Sequence, residues 1–533
     1  MSRSASLLTY LSAPANIVFV LVLAAVVAAH LYSFFATLLL SPVGFDEAFN
    51  LQAPLNLVAG NGYATEDFMS GGPRVVFDPI VSTGPIVELP AALSFLLFGT
   101  TIEAARLVML PFLLILLGSL FVLGRRVAGR WGGVVAVGVA LAFDARVDFP
   151  FSMIYGSSDA LGEYAAAALI ALALVFFSRG RLAPAVLLGL AALAKFITFI
   201  AVPVFMIALL LVPAVRGRFV GRPVRELLAF GGLAVLPSIV WEMVKLISLG
   251  PTGYVAVFID YAKFIFRSGS GADGGSRAFF LERLSRLFSA WYLPTAIVGL
   301  LAVILFALAL YGILRFWGRG GMLAEWRRSG EGKPRSLVRV TSFASTLPAW
   351  VWAAAGTLAA FALWWTFIST SLFVRHMTPV LIVTVPIIAA FATRAVVTLI
   401  RSGGWRRIVA GVVAVGLLGV GVFQAGSTVF AATHYTDWTR GSQEATASFI
   451  RESGFDEVQG LGWWAAPAIR LLSGVPSTPV GTGSGPLVLE PITYLTERGT
   501  YDLGLSLCDD ILYEKGLFVV CTIPDDTKPL EDQ

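Results

Sequence analysis

Apolar stretches of membrane length recur along this chain at about 16–40, 102–123, 131–144, 160–178, 182–196, 197–215, 227–248, 292–314, 349–368, 377–398 and 408–428. A run of roughly 20 apolar residues crosses the hydrocarbon of a bilayer as a helix, and only helices or closed barrels satisfy their own backbone there. The expected fold is therefore an all-α polytopic membrane protein with about eleven transmembrane helices. Composition closes off the alternatives. Of 533 residues, 57% are hydrophobic and 13% charged. A soluble chain of this length could not bury so much apolar surface, and a disordered one would be far more polar. Residues 1–16 carry one Arg and no clear cleavage pattern, so the first run reads as a retained span.

Basic clusters set the sidedness. Arg125, Arg126 and Arg130 follow the second span, Arg179 and Arg181 the fourth, and Arg216, Arg218, Arg222 and Arg225 the sixth. A run from Arg315 to Arg339 follows the eighth, and Arg401, Arg406 and Arg407 follow the tenth. The positive-inside rule puts these loops and the N-terminus in the cytoplasm of a cell with the chain as a multi-pass protein of its cytoplasmic membrane. An odd number of spans then puts the C-terminal region outside. From residue 428 onward there are 15 acidic and 6 basic residues (net −9), against 18 and 32 before it (net +14). The basic part is the membrane part, so its charge is a topology signal and not nucleic-acid affinity. The two cysteines, Cys508 and Cys521, both lie in the acidic region, where an oxidising compartment would join them; otherwise they are two buried thiols.

The expected division is a transmembrane domain over 1–428 and a small external α/β domain over 429–533. In the latter, 442–452 reads as an amphipathic helix, and 503–507 and 517–523 as short strands. Gly462-Trp463-Trp464 reads as an aromatic core or interfacial belt. The first external loop, 41–101, is long and rich in Gly, Pro and acids, with two amphipathic stretches at about 46–59 and 84–98 expected to lie in the interface. A second external loop, 250–290, mixes Tyr254, Phe258 and Tyr261 with Lys263, Arg283 and Arg286 around a Gly-rich centre at 268–276 that reads as mobile.

Three groups of residues could carry chemistry. Gly44-Phe45-Asp46-Glu47 places two carboxylates at the edge of the first span. They are either a hydrated loop start or a working pair, with Asp46 as general base and Glu47 orienting it or a cation. A carboxylate in a partly dry cleft has a raised pKa, which suits proton removal from a hydroxyl. Asp159 and Glu163 are four residues apart and so share one helical face at the mouth of the fourth span. Like charges there imply a metal ion or a basic partner, unless both are simply hydrated. Lys195, Arg375 and His376 lie at or near the membrane, where an unpaired cation is costly; they either bridge to carboxylates or hold a phosphate. Glu242 and Lys245 read as a self-paired couple, and His30, inside the first span, as a packed polar residue. The chain has no Walker loop and no zinc-ligand spacing among its three His, His30, His376 and His434, so no nucleotide is expected.

The layout resembles the GT-C glycosyltransferases that use polyprenyl-phosphate sugars, a superfamily that includes the protein O-mannosyltransferases and the lipid A aminoarabinose transferase. Gly44-Phe45-Asp46-Glu47-Ala48 looks like the acidic motif of the first loop. Thr83-Gly84-Pro85-Ile86 through Leu97-Phe98-Gly99, then Ala104-Ala105-Arg106-Leu107, resembles the interfacial helix leading into the second span. Ser158-Asp159 with Gly162-Glu163-Tyr164 resembles a second acidic site, and Gly189-Leu190-Ala191 to Ala194-Lys195 a glycine-to-lysine stretch. Arg375-His376-Met377-Thr378-Pro379 resembles an Arg-aromatic-x-x-Pro motif, with His where Tyr is common. The chain departs from the family at Ser82-Thr83-Gly84-Pro85, where His-Pro-Pro or Lys-Pro-Pro is frequent.

The resemblance implies a GT-C-like membrane enzyme transferring a sugar from a polyprenyl-phosphate donor to an acceptor hydroxyl on a glycan, lipid or protein, with inversion. It makes Asp46 the base and Glu47 its neighbour. It gives Lys195, Arg375 and His376 the donor phosphate, and it places a divalent cation (Mg, Mn, Ca or Zn) near Asp159 and Glu163, with loop 250–290 closing over the lipid. The competing reading is a transporter or flippase of a lipid-linked sugar, which would favour repeated halves and midplane charges.

Overall fold

The computed structural model describes residues 14–524 except 68–71, 79–80, 143–156, 178–181, 216–222, 268–279, 290, 292, 318–346, 370–373, 435–438, 461–466, 481–484, 490–501 and 503. The Trp463-Trp464 pair, the Gly-rich centre at 268–276, and the basic positions 179, 181, 216, 218, 222 and 319–339 lie outside the described residues.

Among the described residues, seven helices are long and apolar enough to cross a membrane: Pro14–Leu40, Ile102–Leu141, Val224–Lys263, Thr295–Leu314, Ala349–Ile368, Val374–Arg401 and Gly404–Ala431. Pro85–Phe98, Gly162–Phe177, Leu182–Ala194 and Phe196–Leu210 are shorter apolar helices. The expectation of about eleven spans is met in part. The runs at 160–178, 182–196 and 197–215 form the shorter helices. The runs at 102–123 and 131–144 are the two arms of a helix pair broken at Ala128 and Gly129. In that pair, α5 (Met109–Leu141), Ala128 and Gly129 leave helical geometry and Gly129 takes φ 72°. The chain doubles back there, so that a Cβ on Gly124 would lie 2.3 Å from the Gly132 carbonyl oxygen. Residues eight apart in a continuous helix would be about 12 Å apart, so the contact marks a helical hairpin.

The first helix, α1 (Pro14–Leu40), is followed by α2 (Phe45–Val58), an antiparallel hairpin of β1 (Ala64–Asp67) and β2 (Gly72–Val76), α3 (Pro85–Phe98) and α4 (Ile102–Leu107). The two helices expected in the first loop are α2 and α3. On α3, Leu89, Leu93, Leu96, Leu97 and Phe98 face outward while Val87, Glu88, Ala91 and Phe95 are buried. A helix that is apolar outward as well as inward is suited to lipid contact.

At the centre lies α6 (Gly162–Phe177), whose Ala165, Ala166, Ala167 and Ala168 are fully buried. Helices α7 (Leu182–Ala194), α8 (Ala201–Val215) and α9 (Pro223–Arg267) follow, then α10 (Phe280–Ser289), α11 (Thr295–Trp317), α12 (Ala349–Leu363), α13 (Thr378–Arg401) and α14 (Gly404–Ala431). The helix α13 packs on α5, α6 and α11. Residues such as Leu228, Ile247, Val303, Phe306, Val412 and Val415 on α9, α11 and α14 are exposed, as a lipid-facing shell requires. The chain is a multi-pass membrane protein.

The segment expected to be loop from residue 250 is helical to Arg267. Gly250 adopts φ 68° and ends one helix, and Pro251 restarts the next, the pairing of a left-handed glycine stop with a proline start. Glu242 and Lys245 pair with each other at 2.8 Å, and His30 packs within the bundle with Nε2 3.0 Å from the Val137 carbonyl.

Residues beyond α14 form α15 (Arg440–Glu452), α16 (Pro467–Ser473) and a five-stranded sheet. The sheet contains β3 (Val458–Gly460), β4 (Ser477–Pro479), β5 (Leu487–Leu489), β6 (Ile511–Lys515) and β7 (Phe518–Cys521), in the order β4-β3-β5-β7-β6. The parallel pairs are β3–β4 and β3–β5, and the antiparallel pairs β5–β7 and β6–β7. The expected helix and the second expected strand are α15 and β7. The strand expected at 503–507 is instead helical at 504–506. Its Leu-Gly-Leu-Ser-Leu alternation has period 2 without a partner strand, and the pairing with β7 begins at Ile511. Cys508 and Cys521 are joined by a disulfide.

Candidate active site

The corner between α1 and α2 is built around Arg106. Pro42 has no N–H to give the Leu38 carbonyl, which ends the α1 hydrogen-bond ladder. The Arg106 guanidinium donates there instead, to the carbonyls of Leu38 (3.4 Å), Ser41 (2.8 Å) and Pro42 (3.0 Å), and also to that of Thr37 (3.2 Å), which accepts the Ser41 N–H as well. It also grips Glu47 bidentately, Nε to Oε1 at 2.9 Å and Nη2 to Oε2 at 2.7 Å. Arg106 is 0% exposed and Glu47 2%. Glu47 Oε1 accepts a further bond from the Ala160 N–H at 3.0 Å, and Arg106 Nη2 lies 3.7 Å from Asp159. Glu47 and Asp159, 112 positions apart (159 − 47), therefore meet at one guanidinium.

Asp46, one residue earlier in the first turn of α2, points away from this cluster and pairs with Arg375. Arg375 sits on a 3-10 turn, Val374–Met377, that leads into α13, whose start carries a proline. The Asp46 and Arg375 side chains are partly exposed, 20% and 13%. Next to Arg375, His376 faces Trp364 with ring centroids 6.2 Å apart, close enough to both Arg375 and Lys195 to feel their charges.

Lys195 pairs with Glu163 at 2.8 Å. It does not lie within a span but between helices: α7 ends at Ala194, Lys195 is extended (φ −149°, ψ 109°), and a 3-10 turn begins at Phe196. Close backbone approaches hold this turn in place. The Gly84 N–H donates to the Ala194 carbonyl at 3.0 Å. A Cβ on Gly84 would come within 1.7 Å of the Leu193 carbonyl oxygen, and one on Gly162 within 2.0 Å of that of Ala194. The Thr83 hydroxyl accepts from the Gly162 N–H and from Asn50 Nδ2, each at 3.2 Å. The first loop, the start of α6 and the end of α7 thus converge.

The like charges of Asp159 and Glu163 suggested a metal ion or a basic partner, and the structure supplies a basic partner to each: Arg106 to one and Lys195 to the other. Among the described residues no three His, Cys, Asp or Glu side chains converge as a metal site. Of the alternatives the sequence left open at Asp159 and Glu163, these contacts are the basic partners.

A further carboxyl in the first loop, Glu88, is buried and receives the Tyr63 hydroxyl. Burial pushes the Glu88 carboxyl well above the ordinary carboxylate range, with the Tyr63 bond opposing. Burial and the Glu88 charge push the Tyr63 hydroxyl up as well. Trp241 and Phe77 close over this pair.

The structure brings Asp46 together with Arg375, Glu163 with Lys195, and Glu47 with Asp159. Sequence reasoning quoted Arg106 and Thr83 only as part of the resemblance to an interfacial helix, without a role of their own, and did not mention Asn50. Arg106 could have been found, because a guanidinium flanked by apolar residues on both sides is costly unless paired; Asn50 and Thr83 leave no comparable signal.

No family model and no curated protein matches the sequence. Solved structures do match. ArnT from Cupriavidus metallidurans in the apo state aligns with a TM-score of 0.54 at 15% identity, over 95% of this chain and 98% of that one. ArnT bound to undecaprenyl phosphate aligns with a TM-score of 0.54 at 16% identity, over 96% and 98%. The Archaeoglobus fulgidus oligosaccharyltransferase tethered to an acceptor peptide containing the NVT sequon aligns with a TM-score of 0.52 at 13% identity, over 98% and 75%. The chain has the GT-C fold. At these identities the likeness concerns the fold alone.

Proposed function

We propose that the protein is a membrane glycosyltransferase that moves a sugar from a polyprenyl-phosphate donor to an acceptor hydroxyl of a glycan, lipid or protein, with inversion, on the outer side of the cytoplasmic membrane. The observation that carries this is the meeting of a partly exposed carboxylate, Asp46, with Arg375 beside the Glu163–Lys195 pair. The likeness to a structure holding undecaprenyl phosphate supports the donor class. Residues 1–428 would carry the chemistry, and the tail from 429 would lie over it.

Asp46 accepts the proton of the acceptor hydroxyl, whose oxygen attacks the anomeric carbon. The bond from that carbon to the phosphate oxygen breaks, and its electron pair leaves with the phosphate. The donor phosphate is a diester and the product a monoester, so negative charge grows there as the bond breaks. Arg375 and Lys195 answer that charge, with His376 lining the same side; stabilising developing charge is where such groups contribute most. No nucleotide is needed, since the phosphate ester is already activated, and no step is routed through a metal ion. Glu47, locked on Arg106, sets the position of Asp46. In the resting protein Arg375 is held by Asp46 and Lys195 by Glu163, so an arriving phosphate competes with a carboxylate for each cation.

Purified protein in nanodiscs, given undecaprenyl-phosphate-linked sugars, tests this through release of undecaprenyl phosphate. Asp46→Asn should lower transfer at least ~100-fold, and Arg375→Ala and Lys195→Ala should each weaken undecaprenyl phosphate binding about tenfold or more. Wild-type transfer by Asp46→Asn removes the base; unchanged lipid binding in both cation variants removes the phosphate site.

A further inference from the structure

The tail reaches into the corner that carries Asp46. Gln443, on α15, is 1% exposed. Its Oε1 accepts the Val43 N–H at 2.8 Å and its Nε2 donates to the Val43 carbonyl at 3.0 Å. One amide thus satisfies both backbone groups of a residue 400 positions away, three before Asp46. Val43 needs such a partner. It lies between Pro42 and the first turn of α2, buried and outside any helix, and a buried backbone group without a partner is costly. Arg106 holds the neighbouring Ser41 and Pro42 carbonyls from the other side. The turn that aims Asp46 at Arg375 is therefore clamped by the membrane helices and by the tail at once. Around this contact, Arg440 reaches Glu103 at 3.1 Å, and Ala468 of α16 is part of the main core beside α2.

We propose that Gln443 is a positioning residue for the transfer reaction, through which the tail holds Asp46 against Arg375 until a lipid phosphate takes Arg375 over. This rests on the glycosyltransferase reading. It has an unusual consequence. A side chain that merely stabilised the fold would, when lost, weaken ligand binding or leave it unchanged. Gln443 restrains the carboxylate that competes with phosphate, so its loss should strengthen phosphate binding while slowing turnover.

The test measures undecaprenyl phosphate binding to the full chain in nanodiscs, with a double-mutant cycle. Asp46→Asn removes the competitor of the phosphate and should tighten binding roughly fivefold, the size of one partly exposed ion pair. Gln443→Met, close in shape but unable to hydrogen-bond, should tighten binding about two- to threefold in the wild-type background and not at all in the Asp46→Asn background. It should also lower turnover about tenfold without raising the donor KM. Arg440→Gln breaks the neighbouring tail contact and should leave the affinity as it is. The inference is overturned if Gln443→Met weakens binding, leaves it unchanged, or tightens it equally in both backgrounds. If Arg375→Ala binds undecaprenyl phosphate as the wild type does, the phosphate site itself fails, and this inference falls with it.

Discussion

Fully enclosed, with five donors and no deprotonated form, the Arg106 guanidinium has to be answered in full by acceptors around it. Four carbonyls and the Glu47 carboxylate do so. Removing one partner of a buried pair leaves the other uncompensated and costs about 3–5 kcal/mol. Arg106→Lys keeps the charge but not the fork, and should lower the melting temperature and abolish transfer together; calorimetry and the nanodisc assay check this, and a variant of wild-type stability would remove the hub. Glu88 makes the opposite kind of prediction. Its folded pKa is raised above the ordinary value of 4.5, so the folded state holds a proton that the unfolded chain releases. Stability is then highest below pH 4.5 and falls as pH rises towards the folded pKa, by up to about 1.4 kcal/mol per pH unit. Glu88→Gln keeps an acceptor for Tyr63 and cannot ionise. It should be nearly neutral at pH 4.5 and stabilising at pH 8, read as a melting-temperature difference that widens with pH. Single side chains were unevenly legible in the sequence. Asp46, Asp159, Lys195 and Arg375 announce themselves as charges at apolar boundaries. Which carboxylate meets which cation depends on contacts across hundreds of residues, which no local pattern encodes.

Between elements, glycine sets the distances. The start of α6, the end of α7 and the start of α3 approach so closely that backbone meets backbone at Gly84 and Gly162. A methyl group at either position collides with a carbonyl, which cannot rotate away as a flexible side chain could. Gly162→Ala should push α6 from the Lys195 turn and separate Lys195 from Glu163. Overpacking of this kind typically costs about 1–3 kcal/mol, and undecaprenyl phosphate binding should weaken alongside. Wild-type affinity in a folded Gly162→Ala protein would show that the turn tolerates the shift and that Lys195 is not held by this contact. The elements themselves were legible where hydrophobic period and length agreed, as in α1, α2, α3 and α14. They were misread where a local break was mistaken for a change of type. Gly250-Pro251 ends one helix and begins another, so the aromatic, basic segment after it stays helical to Arg267. Alternation at 503–507 looked like a strand because period 2 is visible in five residues, whereas the absence of a pairing partner is not.

For the molecule as a whole, the order of apolar runs, the acid-rich first loop and the compositional change near residue 428 were enough to anticipate a helical membrane domain followed by a small mixed tail. The docking of one on the other through Gln443, Arg440 and α16 was not anticipated, because it links residues 400 apart by ordinary polar and apolar side chains. Two independent physical facts support the proposed orientation. Residues 1–427 carry a net +14, with clusters such as Arg125, Arg126, Arg130, Arg401, Arg406 and Arg407, and short basic loops stay in the cytoplasm. The tail is net −9 and holds a disulfide, which persists where the compartment is oxidising. Both support the proposal that the tail, and with it Asp46 and the proposed phosphate site, lies on the outer side. In sealed right-side-out vesicles, a membrane-impermeant thiol reagent should therefore label Cys508, the partly exposed member of the pair, after reduction with an impermeant phosphine. A cysteine introduced at Arg126 should be labelled only once the membrane is permeabilised. Protection of Cys508 until permeabilisation would place the tail in the cytoplasm, and a polyprenyl donor presented at the outer surface could then not reach Asp46.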